Sequence, residues 1–405
     1  MITLKTWYLE IGMYVDSLDR SWAATPLLKK SFMITEDLHI QYLQKYCRTV
    51  VIDEEKSDPV IKKTLLSYYR THVSRQDHIW KHITHYQKEY NLRMADEIYK
   101  TALSLLREIW DDFKERGTSD AFKIKKCVIL VLDEMHTNPD AMALLGTLKS
   151  KQQDTSHHSL NVCILSVLLG RHLGVTRAEL FDLAYGALLH DIGEVKMPQV
   201  ILDKHHRGLS LEEKKILEEH TKYGVELLST IPDISKTVLA ITRSHHERVN
   251  GKGYPDGLEN IDINYFAKMV AIVNAYEIVI NHPKTKSPLS CTDTLKSIYM
   301  MRDNYFDTDL VEEFIKCLGT YPIGSVVELT NNEVAIVISS KPEKRLYPIV
   351  MVVKDDHEEL LKQPEIVNLA PLATLRINRI LPSTAIDGID PSEYMVKKMG
   401  IDLVN

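Results

Sequence analysis

Histidine is concentrated in one stretch of this chain, and that concentration constrains the fold more than any other feature. The sequence has 17 histidines in 405 residues, and nine of them lie between His157 and His246. An apolar run ends in His190-Asp191, and another helical run ends in His245-His246. Neutral imidazole is the commonest protein ligand for transition metals, and carboxylates complete such sites. The stretch therefore predicts helices whose ends converge on a buried metal site.

The spacing of the polar groups supports this interpretation. Asp154 and His158 are four residues apart, so a helix would place both on one face. Neighbouring helical residues diverge in direction, so His190 and Asp191 can share a site only near a helix end. We expect Gly193 to supply that end. The candidate ligands are Asp154, His158, His190, Asp191, His220, His245 and His246.

Overall composition is typical of a globular protein, and it disfavours one class of partner. Hydrophobic residues make up 44% of the chain and charged residues 26%. The formal net charge is -6, so no broad positive field is available to hold duplex nucleic acid. A small anionic ligand remains compatible with this charge, because bound metal ions would supply positive charge locally.

Cysteine usage and hydropathy favour a cytoplasmic protein. The five cysteines form no CxxC pair, which disfavours a disulfide framework and fits a reducing compartment. The N-terminal residues lack the basic start and long apolar run of a signal peptide. The apolar run 269–280 contains Asn274 and Glu277 and is too short to span a bilayer, so we expect no membrane insertion.

Periodicity predicts a mainly α-helical chain with β structure at both ends. Four regions are predicted: an N-terminal β/helical domain at 1–55, a helical arm or linker at 56–150, a helical domain at 151–319 and a small β-rich domain at 320–405. In the first, runs 7–9, 13–15 and 49–52 favour strands, and 36–46 favours a helix. In the second, apolar positions repeat at helical spacing, which indicates an arm that packs or dimerises.

Within the histidine-rich region, apolar runs and turn residues divide the chain into helices. Helices are predicted at 160–173, 178–190, 211–228, 235–245 and 265–281. A glycine-rich loop at 250–257 separates the last two. In the C-terminal region, Asn331-Asn332 lies between two strand-like runs and predicts a hairpin turn.

Three segments in this order resemble the HD-GYP phosphodiesterases: HHSLNV (157–162), HDIG (190–193) and HHERVNGKGYPDGL (245–258). The resemblance runs from about 154 to about 318. It implies an HD-type helical bundle core and a bacterial enzyme that hydrolyses cyclic di-GMP or cyclic GMP-AMP. It also implies two or three divalent metal ions, iron or manganese. The flanks resemble a subgroup with a "GMYV" N-terminal domain and a β-rich tail.

The resemblance also assigns roles to individual residues. The implied metal ligands are His158, His190, Asp191, His220, His245 and His246, with Asp154 and Asn274 as further ligands. Asp191 is expected to bridge two ions. Asp191 and Glu194 are the candidate catalytic residues. The candidate substrate-binding residues are Gly253, Tyr254, Pro255, Lys284 and Lys286. Tyr254 is expected to stack on the ligand or donate a hydrogen bond to it.

Four departures from the family pattern affect the expected activity. Glu194 replaces a lysine expected to contact the scissile phosphate, and Asn274 replaces a metal-binding aspartate. An Arg-containing segment after that helix is absent, and Lys284 and Lys286 stand there as point charges rather than a bidentate fork. Asn250 replaces a common Asp in the glycine-rich loop.

The sequence therefore favours metal-assisted hydrolysis of a cyclic dinucleotide to a linear product, and two alternatives stay open. One is a module that binds metal, nucleotide or a signalling partner protein without turnover, which the substitutions at Glu194 and Asn274 favour. The other is an HD-superfamily phosphohydrolase that acts on a mononucleotide, which the glycine-rich loop disfavours. The helical arm leaves a homodimer possible, but it shows no clean heptad pattern.

Overall fold

The computed structural model of this chain describes residues 2–6, 9, 11–18, 31–47, 49–53, 55–59, 61, 76–149, 155–204, 208–281, 290–339, 346–370, 375–382, 385–386 and 394. The chain divides into two compact units, Met1–Gln87 and Lys88–Asn405. In the part of the chain that is described, no helix is both long enough and apolar enough to cross a membrane.

The first unit contains a small antiparallel sheet and one helix. Its strands are β1 (Ile2–Lys5), β2 (Tyr14–Leu18), β3 (Phe32–Met33) and β4 (Thr49–Ile52), in the order β1-β4-β2-β3. Helix α1 (Asp37–Tyr46) precedes β4. The core of the unit is formed by Leu9, Met13, Val15, Ile34, Leu43, Cys47, Val50 and Ile52. The predicted strand at 49–52 and the predicted helix are confirmed, whereas Trp7 and Tyr8 lie outside the described residues.

The second unit is mainly helical, as predicted. Its helices are α2 (Gln76–Arg116), α3 (Ala121–Thr137), α4 (Pro139–Lys149), α5 (Thr155–His172), α6 (Arg177–Leu188), α7 (Gln199–Leu202), α8 (Leu211–Glu218), α9 (His220–Leu228), α10 (Lys236–Ser244), α11 (Tyr265–Asn281), α12 (Cys291–Met300) and α13 (Thr308–Leu318). A short 3₁₀ helix, Ile192–Lys196, follows α6. Helix α2 begins before the boundary between the units.

Helix α2 packs into the helical core rather than standing free along the length where its side chains are described. Tyr99, Leu106, Ile109 and Phe113 are at most 1% exposed, and they recur at the spacing that puts residues on one helix face. Helices α5, α6 and α11 supply much of the rest of this core. From Leu92 onward, α2 therefore packs against the helical core of the second unit, and the predicted arm at 56–150 as a separate region stays a prediction.

The C-terminal part of the second unit is a five-stranded antiparallel sheet. Its strands are β5 (Val326–Leu329), β6 (Val334–Ser339), β7 (Ile349–Lys354), β8 (Leu360–Asn368) and β9 (Ile377–Leu381), in the order β8-β7-β6-β5-β9. Alternate residues of β6 face opposite sides. Ile336 joins the helical core, whereas Val337 joins a separate small core of the sheet. The β-rich tail and the turn at Asn332, which has a φ of 69°, are as predicted.

Helix boundaries around the histidines differ from the prediction in two places. Helix α6 ends at Leu188, so His190 and Asp191 lie in a turn after the helix. Gly193 is not the helix terminator, because it lies inside the 3₁₀ helix. The predicted helix 211–228 is two helices, since the chain breaks at Glu219 and α9 begins at His220. Both differences bring a histidine to a helix end, where its side chain has room to turn inward.

Candidate metal centre

Six of the predicted ligands meet at one place in the helical unit. His158 lies on α5, His190 and Asp191 follow α6, His220 begins α9, and His245 and His246 follow α10. Their nitrogen and carboxylate oxygen atoms form two overlapping groups, in each of which all donor atoms lie within 4.8 Å of one another. One group is Asp191, His220, His245 and His246, and the other is His158, His190 and Asp191. Each group could hold one metal ion.

Asp191 belongs to both groups, and its two oxygens face different histidines. Oδ1 lies 3.1 Å from Nε2 of His245 and 3.4 Å from Nε2 of His220. Oδ2 lies 2.9 Å from Nε2 of His190 and 3.7 Å from Nε2 of His158. A carboxylate placed in this way can give one oxygen to each of two neighbouring ions.

Backbone carbonyl groups orient three of the imidazole rings. Nδ1 of His190 lies 2.9 Å from the carbonyl of Ala187, and Nδ1 of His220 lies 2.7 Å from that of Leu217. Nδ1 of His245 lies 3.0 Å from the carbonyl oxygen three residues earlier. A carbonyl can only accept, so each Nδ1 carries a proton, and in the neutral form of each ring Nε2 is the atom that can bind a metal ion. The three Nε2 atoms point into the site next to Asp191.

Burial and the surrounding histidines shift the pKa values of Asp191, His245 and His246. Burial disfavours its charge, but the imidazoles of His190, His220 and His245 outweigh burial and hold the pKa of this carboxyl well below its usual range. Burial lowers the pKa of His245 to about 4 and also lowers that of His246. Both rings are therefore neutral at neutral pH, which is the form that binds metals.

Glu194 faces this site from the 3₁₀ helix. Burial, followed by the negative charge of Asp191, raises the pKa of Glu194 to about 7. The charges of Glu194 and Asp191 both raise the pKa of His220 against the effect of burial. Glu194 therefore adds negative charge to the site at neutral pH and above, where the family resemblance implies a lysine.

Asn274 and Glu277 approach from α11. Asn274 is 3% exposed, and among the described residues its side-chain oxygen has no hydrogen-bond partner. A buried carbonyl-type oxygen without a partner is costly, which suits a residue that completes a ligand set. One helical turn later, Glu277 contacts Nδ1 of His158. Burial lowers the pKa of His158, but Glu277 outweighs it and raises that pKa to about 9.

The Gly-Tyr-Pro loop lies against the histidines. Tyr254 stacks on His246 with ring centroids 4.7 Å apart and an interplanar angle of 23°. A Cβ on Gly253 would come within 2.4 Å of the Cα of Glu247, so the close approach of the loop requires glycine there. The peptide bond between Tyr254 and Pro255 is cis. The ring of Tyr254 thus covers one side of the candidate metal centre.

Glu247 and Arg243 hold this loop in place. The buried carboxylate of Glu247 accepts backbone N–H bonds of 2.7, 3.1 and 3.0 Å from residues 256, 257 and 258. Arg243 donates to both carboxylate oxygens of Asp256, at 2.6 and 2.7 Å. These contacts fix the loop that carries Tyr254 to the end of α10.

Not every predicted site residue can be compared with the structure. Asp154, Lys284 and Lys286 lie outside the described residues. His157 is buried near Tyr99, with ring centroids 6.3 Å apart, and it is not in either ligand group. Glu247 and Glu277 are not among the site residues predicted from the sequence. Glu247 directly follows the paired histidines, and that adjacency was the available signal.

Comparison with known families identifies three segments of the chain. A model of the HD domain matches residues 144–310. A domain of unknown function matches residues 1–122, and a KOW domain associated with the HD domain matches residues 326–388. The HD match contains all six of the clustered ligands described above. The predicted domain boundaries stay predictions, although these three matches succeed one another in the same order as the predicted regions.

The chain is similar to curated phosphodiesterases of cyclic dinucleotides. A cyclic di-GMP phosphodiesterase of Pseudomonas aeruginosa is 25% identical over 346 residues, 85% of this chain and 83% of that protein. The PdeB cyclic di-GMP phosphodiesterase of Borreliella burgdorferi is 27% identical over 45% of this chain and 47% of its own length. A 3'3'-cGAMP-specific phosphodiesterase of Vibrio cholerae is 26% identical over 48% of this chain and 38% of its own length.

The chain is thus an HD-domain protein. It is related to the HD-GYP phosphodiesterases of cyclic di-GMP and cGAMP, although the relationship is distant.

Proposed function

We propose that this protein is a metal-dependent phosphodiesterase that opens a cyclic dinucleotide, cyclic di-GMP or 3'3'-cyclic GMP-AMP, to a linear product. The observation that carries the proposal is the sharing of Asp191 between two histidine groups. Its oxygens lie 3.1 Å from His245 and 2.9 Å from His190. Sites with two ions about 3.5–4 Å apart commonly serve phosphoryl transfer. The activities printed for the curated relatives support the same substrate class.

Under this proposal, separate groups of residues would bind the metal ions and shape the entrance for the nucleotide. Histidines 220, 245 and 246 with Asp191 would hold one iron or manganese ion, and His158, His190 and Asp191 a second, with Asn274 completing the set. When bound, such ions supply Lewis acidity that activates water and neutralises charge on the phosphoryl oxygens. Tyr254, which covers His246, would shape the entrance for the nucleotide. Asp154 is a candidate ligand for a third ion.

A second candidate function is binding without turnover. Glu194 supports it, because a carboxylate with a pKa of about 7 contributes repulsion towards a phosphodiester at the pH where a lysine would attract it. Asn274 supports it too, because an amide oxygen brings no charge to the ion that it would bind. Such a protein would keep metal and ligand binding and serve as a receptor for a signalling partner.

One experiment separates the two functions. The protein is reconstituted with Mn²⁺ or Fe²⁺, its metal content is measured, and it is incubated with each cyclic dinucleotide. We expect linear product that disappears in Asp191→Asn and persists in His172→Gln, which removes a histidine of α5 outside the ligand groups. Bound metal and bound dinucleotide without product would favour the receptor. No bound metal after reconstitution would overturn the site itself.

A further inference from the structure

The imidazole ring of His158 is held by a side chain, whereas backbone carbonyls hold the rings of His190, His220 and His245. Nδ1 of His190, His220 and His245 faces a backbone carbonyl, whereas Nδ1 of His158 faces the carboxylate of Glu277. The two residues are 119 positions apart in sequence and lie on α5 and α11. The side chain of Glu277 is 4% exposed. A buried carboxylate is costly unless its partners compensate for lost hydration, so this contact needs explanation.

The second oxygen of Glu277 is also held. Asn161 lies three residues after His158 on the same helix, and its Nδ2 donates to Glu277 Oε1 at 3.4 Å. The hydroxyl of Tyr99 in turn donates to Asn161 Oδ1 at 3.0 Å. Tyr99 is 0% exposed and Asn161 is 3% exposed. The contacts form a buried chain from α2 through α5 to α11 that ends on the Nδ1 side of His158.

Gly146 of α4 lies next to Asn161, the middle residue of this buried chain. A Cβ on Gly146 of α4 would lie 3.1 Å from Asn161 Oδ1. That separation is tighter than ordinary van der Waals contact, so a larger residue at this position would push Asn161 out of line. Glycine at position 146 therefore leaves room for the amide of Asn161 between the tyrosine hydroxyl and the carboxylate.

We propose that Glu277 is a positioning residue for His158, held in place by Asn161 and Tyr99. Glu277 accepts a hydrogen bond from Nδ1–H of His158, which fixes the tautomer, turns Nε2 towards Asp191 and makes that nitrogen a stronger ligand for a metal ion. This inference rests on the proposed metal site. Carboxylate partners of metal-binding histidines typically change metal affinity by about 10- to 100-fold. Glu277 would therefore change the affinity for the ion held by His158 and His190 and leave unchanged the affinity for the ion held by His220, His245 and His246.

The test compares metal binding rather than activity. Wild type, Glu277→Gln and Tyr99→Phe are titrated with Co²⁺, whose ligand-field absorption reports ligand geometry, and metal content is counted separately. The matched control is Glu313→Gln, which alters another His–Glu pair of α5, the 2.8 Å contact between His172 and Glu313. We expect Glu277→Gln to weaken one of two sites about 10-fold or more and shift its spectrum. Glu313→Gln should bind as wild type does.

The outcomes of these titrations distinguish the positioning role of Glu277 from the existence of the metal site. If wild type binds two ions and Glu277→Gln binds them with the same affinity and spectrum, the positioning role is wrong and the metal site stands. If wild type binds no ion, the proposed function fails first. Should Glu277→Gln not fold, Tyr99→Phe decides, because it removes a single hydroxyl. A several-fold loss at the same site supports the buried chain, and wild-type binding by Tyr99→Phe overturns it.

Discussion

Gly193 provides a sharp test of how the candidate metal centre is built. A Cβ at this position would lie 1.8 Å from the carbonyl oxygen of His220 and 2.6 Å from the backbone nitrogen of Gly224. Real Cβ atoms essentially never come closer than 3.0 Å, and both obstacles are backbone. Gly193→Ala would therefore force the 3₁₀ helix and α9 apart by about 1 Å or more, which a close-packed interior resists.

The expected cost follows from this displacement. Overpacking typically costs about 1–3 kcal/mol, and a backbone obstacle places Gly193→Ala at or above the upper end. At about 2–4 °C per kcal/mol, the melting temperature should fall by roughly 6–12 °C. Because His220 moves with α9, its Nε2 should also leave Asp191, and metal content should fall. Differential scanning calorimetry and metal analysis measure the two effects.

Gly174→Ala is the matched control. Gly174 has a φ of 74° and no atom within 4 Å of a built Cβ, so the substitution carries only the backbone cost of about 1–2 kcal/mol. It lies between α5 and α6, away from the ligands, and should leave metal content unchanged. If Gly193→Ala loses no more stability than Gly174→Ala and keeps its metal, the close packing of the 3₁₀ helix on α9 is not what holds His220.

Two further substitutions test charge in and outside the site. Asn274→Asp should tighten one metal site by about tenfold, roughly 1.4 kcal/mol, because it supplies a carboxylate where the unpartnered oxygen lies; unchanged affinity in a Mn²⁺ titration would place Asn274 outside the ligand set. Asp112 contacts Lys123 and Ser119, each at 2.9 Å, and these partners with Arg116 overcome burial and lower its pKa below the usual 3.8. A carboxyl group whose pKa is lowered by folding stabilises the protein at pH values above its unfolded-state pKa, and this stabilisation is lost as the pH falls through its folded-state pKa. Asp112→Asn should therefore lower the free energy of unfolding by about 1 kcal/mol at about pH 7 and by progressively less below about pH 4, as measured by urea unfolding. A cost that does not shrink in acid would contradict this assignment.

The positions of His190 and His245 could be predicted because each follows an apolar run. Periodicity marks where a helix is buried, and a polar residue at the end of such a run must find a buried partner. His245 is the C-cap residue of α10, where the pattern places it. His158 similarly lies on the buried helix α5. Local pattern was sufficient for these residues because their placement depends on the helix that carries them.

Contacts between distant segments could not be predicted in the same way. Glu277 meets His158 only because α11 packs against α5, and neither helix has a sequence feature that specifies its neighbour. Gly193 was interpreted as a helix terminator, because glycine commonly ends helices. Its actual requirement is the approach of His220, 27 residues later, which no local pattern reveals. The break at Glu219 contains neither glycine nor proline to signal it.

Under the proposed function, metal binding and turnover would depend on different residues of this site, so they could be lost independently. The candidate donors are imidazoles and Asp191, and backbone carbonyls, which no side-chain substitution removes, orient the rings of His190, His220 and His245. Turnover also needs groups that attract a phosphodiester and stabilise its developing charge. Under that function Glu194 would bear on the second requirement, since its negative charge would oppose a phosphate while leaving the donor nitrogens in place. A test of activity alone would therefore misjudge the metal centre, and metal content and hydrolysis have to be measured on the same preparation.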